Sequence, residues 1–232
     1  MDKPYRGVIF DLDGTLVHST IDFSLMREQV MAALKEMPIP PDLLEQKGAI
    51  SNNVLKALTY LEGKVDHGKL TALLDRLENV STQVELRDVE RTTMISGVKE
   101  VLDHIQAKGY RIGLLTRGSR EYAMRALRAS GLNFPFQATV CRDDFDLREA
   151  KPNPIALVRT ADLLGLDPSG CVFIGDHFID QQCAEAAGSG FVGVLTGSND
   201  WEKWSKRPPL VVLISVAELP GLLPQLDGHK VY

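Results

Sequence analysis

The chain has 232 residues, of which 44% are hydrophobic, enough to bury one ordinary domain or a core with a smaller inserted domain. Lys and Arg total 26 against 31 Asp and Glu, and the net charge of -5 excludes a broad electrostatic attraction to nucleic acid or to an anionic membrane. The sequence shows no signal-peptide pattern, no apolar run of membrane-spanning length and no CxxC pair among its three cysteines, so we expect a cytoplasmic protein.

The first predicted element is a short strand, Gly7–Phe10, an apolar run that ends at Asp11 and Gly14. The run does not alternate with polar residues, which is typical of a strand buried on both faces. Two carboxylates, Asp11 and Asp13, follow it with one residue between them. Their mutual repulsion requires a nearby positive charge.

The next segment, residues 18–93, is predicted to be all helical. Apolar residues recur at helical spacing from Met26 to Met37, and further helical stretches run through Val54–Leu61 and Leu70–Leu77. Three turn-forming clusters are expected to separate the helices: Pro38–Pro41, Gly63–Gly68 and Ser81–Thr82.

After Thr93 the pattern alternates between helices and strands. The predicted helices are Val98–Ile105, Ser119–Ser130, Pro154–Leu164 and Asp180–Ala187, and the predicted strands are Tyr110–Leu115, Ala138–Cys141, Cys171–Ile174, Phe191–Leu195 and Leu210–Ile214. This alternation implies right-handed crossovers and a parallel sheet covered on both faces. We therefore predict a discontinuous α/β core, residues 1–17 and 94–232, with residues 18–93 inserted. The segment Trp201–Trp204 is interpreted as a surface connection into the last strand, with a partner contact as the alternative.

Polar side chains follow four of the predicted strands. In a doubly wound sheet the ligand binds beyond the carboxyl ends of the strands, so we expect these side chains to converge at one edge. They are Asp11, Asp13, Thr116, Lys151, Asp176 and Asp180. Clustered carboxylates repel one another, and hard oxygen ligands are those that Mg²⁺ uses together with a substrate phosphate. The sequence therefore predicts a Mg²⁺ site in which the positive charge of the ion offsets the repulsion between the carboxylates.

The same residues suggest phosphoryl chemistry. With Mg²⁺ on Asp11 and Asp176, the Asp11 carboxylate can attack phosphorus and form an aspartyl phosphate. Lys151 would neutralise the phosphoryl oxygens and Thr116 would hydrogen-bond to them. Asp13 projects toward the same side of the chain, close enough to protonate a leaving oxygen and then to activate water.

These segments resemble the haloacid dehalogenase superfamily of phosphatases, over the whole chain in outline. The residues that carry the resemblance are Asp11–Leu16, Thr116, Lys151–Pro154 and Gly175–Asp176 with Asp180. The resemblance implies a three-layer α/β/α Rossmann-like core with a parallel sheet, and a small helical type-one cap at residues 18–93. Phosphoglycolate phosphatases and β-phosphoglucomutases are similar members of that superfamily.

The resemblance also assigns roles to individual residues. It makes Asp11 the nucleophile and Asp13 the general acid/base with its backbone carbonyl on Mg²⁺. It makes Asp176 a metal ligand, and Asp180 a ligand directly or through water. Two positions depart from the family pattern: Arg117 stands where Asn is usual, and His177 stands where Ser or Thr is usual.

The roles of these two residues stay open in the sequence. Arg117 either binds a second anionic group of the substrate or forms an ion pair at the rim of the cleft, and the rim is favoured. His177 either hydrogen-bonds a metal-bound water or a carboxylate, or is a polar packing residue, and packing is favoured. In capped relatives a loop at the position of Lys47–Ser51 leans into the cleft and selects the leaving group, which is a hypothesis for this chain.

The function that we predict is a Mg²⁺-dependent phosphatase acting on a small phosphorylated metabolite. A sugar-phosphate mutase of the β-phosphoglucomutase type is the alternative, since it would use the same residues while excluding water. A haloacid dehalogenase proper needs neither a metal nor a proton donor at Asp13, which argues against it. A phosphorylatable receiver module is a further alternative, but such modules lack the helical insert. They also need a long-lived aspartyl phosphate, whereas Asp13 is placed to activate the water that would hydrolyse it. The sequence indicates no oligomeric state.

Overall fold

The computed structural model describes residues 5–226, so the ends of the predicted core, residues 1–4 and 227–232, lie outside the described part. The strands, numbered along the chain, are β1 (Gly7–Phe10), β2 (Val17–His18), β3 (Thr93–Met94), β4 (Arg111–Leu115), β5 (Ala138–Val140), β6 (Cys171–Gly175), β7 (Gly190–Val194) and β8 (Val211–Leu213). The α-helices are α1 (Phe23–Lys35), α2 (Ile50–Leu61), α3 (His67–Leu86), α4 (Val98–Ala107), α5 (Arg120–Ala129), α6 (Pro154–Leu163), α7 (Phe178–Ala187), α8 (Trp201–Lys206) and α9 (Leu219–Leu226).

The larger unit is an α/β core around one parallel sheet. Within residues 5–226 the strand order of this sheet is β5-β4-β1-β6-β7-β8, and every neighbouring pair is parallel. Strands β1 and β6 are buried along their whole length, as their uninterrupted apolar sequences predict. The predicted α/β class, with a parallel sheet and crossover helices, is confirmed.

One buried cluster of this unit lies between the sheet and two helices. Helices α6 and α7 pack against each other and against strands β4 to β7. Ile9 from β1, Leu157 from α6, Phe173 from β6 and Cys183 from α7 form one buried cluster there. The cluster fixes the helices that begin at the carboxyl edge of the sheet.

The register of the central strands determines which residues meet at that edge. Phe10 at the end of β1 pairs with Leu114 in β4 and with Ile174 in β6. The chain therefore leaves these three strands at the same edge of the sheet, and the residues that follow each strand face a common space.

The chain divides into two compact units. One compact unit runs up to Ser19 and resumes at Val89, and the other is Thr20–Asp88. The larger unit extends beyond residue 17 and begins again before residue 94. Within the larger unit, strands β2 and β3 pair antiparallel. They lie where the chain leaves this unit and where it returns to it.

The smaller unit, Thr20–Asp88, is helical. Helix α1 packs against α2 and α3, and the first turns of α1 and α3 are capped by Asp22 and Asp66, whose side chains accept from backbone N–H groups. The predicted break at Ser81–Thr82 is wrong, because α3 continues through it to Leu86 with Leu77 and Val84 buried on either side. No helix within residues 5–226 has both the length and the apolar character needed to cross a bilayer.

The segment before the last strand is a surface connection, as predicted, but it forms a short helix, α8, in which Trp204 is buried. Trp204 is 1% exposed, its ring packs against Phe178 and Phe191, and its Nε1 donates to the carbonyl of Val194 at 3.2 Å. Trp201, one turn earlier, is 60% exposed. The expected surface exposure was wrong for Trp204. An aromatic residue flanked by lysines can still lie on the face of a short helix that packs against the core.

Candidate active site

Three carboxylates gather at the carboxyl edge of the sheet. Asp11 follows β1, Asp176 follows β6, and Asp180 lies in the first turn of α7. All three are buried, and each offers an oxygen within 4.8 Å of the others. Burial raises the pKa of Asp11 well above its ordinary value, with Lys151 opposing the rise and Asp180 adding to it.

Lys151 is the cation in contact with this cluster. Its Nζ lies 2.6 Å from Oδ1 of Asp11 and 2.6 Å from Oδ1 of Asp180, and its side chain is 3% exposed. Burial alone would lower the pKa of Lys151, but Asp11 and Asp180 raise it above the ordinary value. The lysine is therefore charged. It joins Asp11, 140 residues earlier at the end of β1, to Asp180, 29 residues later at the start of α7.

Asp176 is held by the loop that follows β7. Its Oδ2 accepts from the backbone N–H of Ser198 at 2.5 Å, and its carbonyl accepts from the N–H of Asn199 at 3.1 Å. Gly197 is packed against the Asp176 side chain so closely that a Cβ there would collide with it. Burial, with Asp180 as the next cause, raises the pKa of Asp176.

A second close approach comes from the loop after β1. Gly14 has φ +74°, the left-handed region that glycine adopts without strain, and a Cβ there would lie 2.7 Å from Oδ2 of Asp176. The carbonyl of Gly14 also accepts from Oγ1 of Thr196 at 2.5 Å. Two glycines, Gly14 and Gly197, thus let two loops approach the same carboxylate.

Asp13 is partly buried and lies beside the three-carboxylate cluster. Its charge is one of the causes of the raised pKa of Asp11. Its Oδ1 accepts a short hydrogen bond from the hydroxyl of Tyr122, which is fully buried at the start of α5. The structure therefore brings Asp13 near Asp11 and gives it a defined partner.

Thr116 and Arg117 follow β4 at the same edge. Thr116 is 3% exposed, and its Oγ1 accepts from the backbone N–H of Gly118 at 3.0 Å. That bond uses a lone pair of the oxygen, so the hydroxyl hydrogen can point toward another acceptor. The guanidinium of Arg117 donates to the backbone carbonyl of Lys151, which ties the end of β4 to the loop that carries the lysine.

His177 has a role that its sequence position alone did not indicate. Its Nδ1 accepts from the N–H of Ile179 at 3.1 Å, while Oδ2 of Asp180 accepts from the N–H of His177 at 3.2 Å. The two bonds form a capping box at the start of α7. Burial lowers the pKa of His177, which favours the neutral ring that the accepting Nδ1 requires.

Two contributions were missed by sequence reasoning. Tyr122 lies within the predicted helix Ser119–Ser130, and an aromatic residue at a helical position normally indicates packing. The loop Gly197–Asn199 follows β7, a strand to which the sequence analysis assigned no polar residues at its end. Its glycine, two residues after a predicted strand, was the available signal.

The buried acids have the donor chemistry of a site for a hard metal ion. Asp11, Asp176 and Asp180 offer only oxygen ligands, and their combined charge exceeds that of Lys151. The cluster could therefore hold a divalent cation, which would oppose the raised pKa of Asp11 and of Asp176.

The chain is similar to known proteins over most of its length. The sequence model of a family described as haloacid dehalogenase-like hydrolase matches residues 8–194. The phosphoglycolate phosphatase of Shigella dysenteriae is 29% identical over 250 aligned positions, which cover 97% of this chain and 96% of that protein.

Two crystal structures share the fold. A hydrolase from Pseudomonas syringae has a TM-score of 0.68 at 23% identity, covering 96% of this chain and 99% of its own. The β-phosphoglucomutase of Clostridium difficile has a TM-score of 0.65 at 17% identity, covering 97% of each chain.

Proposed function

This chain belongs to the haloacid dehalogenase-like hydrolase family and is a phosphatase of that family, and we propose that it hydrolyses a small phosphate monoester with Mg²⁺ through an aspartyl phosphate. The observation that carries the proposal is the buried cluster of Asp11, Asp176 and Asp180 joined to Lys151. Such a cluster provides a nucleophile and a cation for the transferred group in one place.

Asp11 is the proposed nucleophile. Its carboxylate directly follows a central, fully buried strand, so its position is fixed by the sheet. One oxygen is bonded to Lys151 at 2.6 Å. The same ammonium group would neutralise charge on the phosphoryl oxygens, and the Thr116 hydroxyl would donate to one of them.

Asp13 is the proposed general acid and base. It donates a proton to the leaving oxygen while the bond between Asp11 and phosphorus forms and the ester bond breaks. It then takes a proton from water as the water oxygen attacks phosphorus and the Asp11 carboxylate is released. Its place two residues after the nucleophile supports this role.

Asp11, Asp176, Asp180 and the backbone carbonyl of Asp13 would hold the Mg²⁺, with Asp180 binding directly or through water. The ion supplies charge neutralisation at the phosphoryl group when bound. The oxygen-only donors and their burial support Mg²⁺ over softer metals.

The proposed substrate is a small phosphorylated metabolite. The relative from Shigella dysenteriae is named for phosphoglycolate, which makes that ester the first candidate. Arg117, whose guanidinium donates to the backbone carbonyl of Lys151, is proposed to lie at the rim of the cleft, with binding of a second anionic group of the substrate as the alternative. The helical unit Thr20–Asp88 is proposed to act as a cap, with the segment Lys47–Ser51, which ends in the first turn of α2, as its specificity element.

A phosphate-release screen tests the proposal. The purified protein is assayed against phosphoglycolate, glycerol phosphates, sugar phosphates and p-nitrophenyl phosphate, with Mg²⁺ and with chelator. We expect release from at least one monoester, loss of that release with chelator, and its return with added Mg²⁺. An Asp11→Asn preparation made in parallel measures contaminating phosphatases.

Two outcomes would contradict the proposal. Folded protein that releases phosphate from no monoester with Mg²⁺ would refute hydrolysis, and release that is undiminished by chelator would refute the metal. The sugar-phosphate reactions are also examined for isomerised sugar. A mutase would give that product with little free phosphate.

A further inference from the structure

The hydroxyl of Tyr122 contacts the side chain of Asp13. It donates a short hydrogen bond to Oδ1 of Asp13, and Oγ of Ser19 lies 3.2 Å from the phenol oxygen. Tyr122 is 0% exposed, so water does not compete for this hydroxyl. The phenol gives its single hydrogen to Asp13, which means that Ser19 is the donor in the second contact.

The ring of Tyr122 is fixed by the start of α5. Ser119 caps the helix by accepting from the N–H of Tyr122 at 3.3 Å. Gly118 lies against the ring so closely that a Cβ there would be 2.6 Å from Cδ1 of Tyr122. The phenol therefore presents its oxygen from a rigid element rather than from a loop.

Packing alone does not require this hydroxyl. A phenylalanine would fill the same buried space without a polar group that must be satisfied. The hydroxyl instead couples a carboxylate after β1 to a helix that follows β4. Elements separated by 109 residues in the sequence meet at this bond.

We propose that Tyr122 is a positioning residue that holds the carboxyl group of Asp13 in the orientation for proton transfer. The proposal rests on the acid/base role proposed for Asp13. With Oδ1 held by the phenol, the proton moves between the leaving oxygen and the other carboxyl oxygen of Asp13. Tyr122 keeps its own proton throughout, and only Asp13 is protonated and deprotonated during the reaction.

A comparison of leaving groups tests the proposal with Tyr122→Phe. An alkyl alcohol leaves poorly without a proton, whereas p-nitrophenolate leaves without one. The ratio kcat/KM reports the step in which the ester bond breaks. We expect kcat/KM for the best alkyl phosphate of the screen to fall roughly tenfold or more, and kcat/KM for p-nitrophenyl phosphate to fall less than about threefold.

Two controls separate positioning from a general loss of structure. Tyr110→Phe removes the hydroxyl of another buried tyrosine, which precedes β4 at the opposite edge of the sheet, and it should leave both values unchanged. In an Asp13→Asn background, Tyr122→Phe should cause no further loss on the alkyl phosphate, because the group that it positions is gone. If Tyr122→Phe does not fold, Ser19→Ala is used instead, because it removes the second contact of the phenol. It should lower kcat/KM for the alkyl phosphate, relative to kcat/KM for p-nitrophenyl phosphate, by about two- to threefold.

The outcomes are distinguishable from a failure of the proposed function. A wild-type protein without phosphatase activity refutes the function itself. A wild-type enzyme whose Tyr122→Phe variant changes both substrates equally, or neither, overturns the positioning role. An equal fall on both substrates would assign Tyr122 a structural role only.

Discussion

Nζ of Lys151 lies 2.6 Å from Oδ1 of Asp180, and the side chains of both residues are 3% exposed. The ammonium group makes an equally short contact with Asp11. A charge buried this deeply is stable only with its partners, because removing one partner leaves the others desolvated and uncompensated. Lys151 is therefore a structural member of the site as well as a proposed ligand of the phosphoryl group.

Replacing this lysine should destabilise the fold. Lys151→Met keeps the apolar part of the side chain but removes the ammonium group, and we expect the free energy of unfolding to fall by about 3–5 kcal/mol. Chemical denaturation without metal measures it. The matched control is Lys206→Met, whose exposed ion pair with Glu202 should contribute little. Equal losses in the two variants would refute the buried-pair account.

The glycine beside Asp176 should control metal affinity. In Gly197→Ala the added Cβ meets the Asp176 side chain and displaces it from the N–H of Ser198. We expect the Mg²⁺ concentration for half-maximal activity to rise about tenfold or more. Gly170→Ala adds a Cβ into open space and serves as the control. An unchanged Mg²⁺ requirement in Gly197→Ala would show that Asp176 does not need this support.

The three thiols should be unreactive in the native protein. Cys141, Cys171 and Cys183 are buried, and burial raises the pKa of each to about 12. At pH 8 roughly one thiol in ten thousand is then ionised, and the reactive fraction grows only as the pH approaches the raised pKa. Thiol titration should count almost none before denaturation and three after it. Rapid stoichiometric labelling of the native protein would contradict this.

The two tryptophans should differ in their effect on stability. Trp204→Ala empties a fully buried site beside Phe178 and Phe191, and we expect a loss of about 3–5 kcal/mol in the free energy of unfolding. Trp201→Ala, at a position 60% exposed, should change it little. Similar losses from both would show that the two rings are buried alike.

The sheet and its carboxyl edge were predictable because each depends on a local pattern. An uninterrupted apolar run marks a doubly buried strand, and parallel strands place their ends together. The sequence therefore indicated that Asp11, Lys151, Asp176 and Asp180 would meet, although it gave none of the distances between them.

The remaining features depend on tertiary contacts that leave little trace in the sequence. The Ser198 N–H that holds Asp176 is a backbone group, and every loop residue carries one. Tyr122 has the pattern of a packing residue, and only its neighbour across the fold shows what its hydroxyl does. Trp204 lies in a helix of six residues, too short for a periodic signal. At Ser81–Thr82, burial of one face of α3 outweighs the weak helix preference of the two residues.

The measurement that tests the proposed mechanism most directly is borohydride trapping of the enzyme during turnover. Borohydride reduces an aspartyl phosphate to homoserine, so peptide mass spectrometry identifies the residue that carried the phosphoryl group. The account predicts homoserine at position 11 in the wild-type enzyme with substrate, and neither turnover nor trapping in Asp11→Asn. Active enzyme with the modification at another carboxylate, or steady hydrolysis by Asp11→Asn, would contradict it.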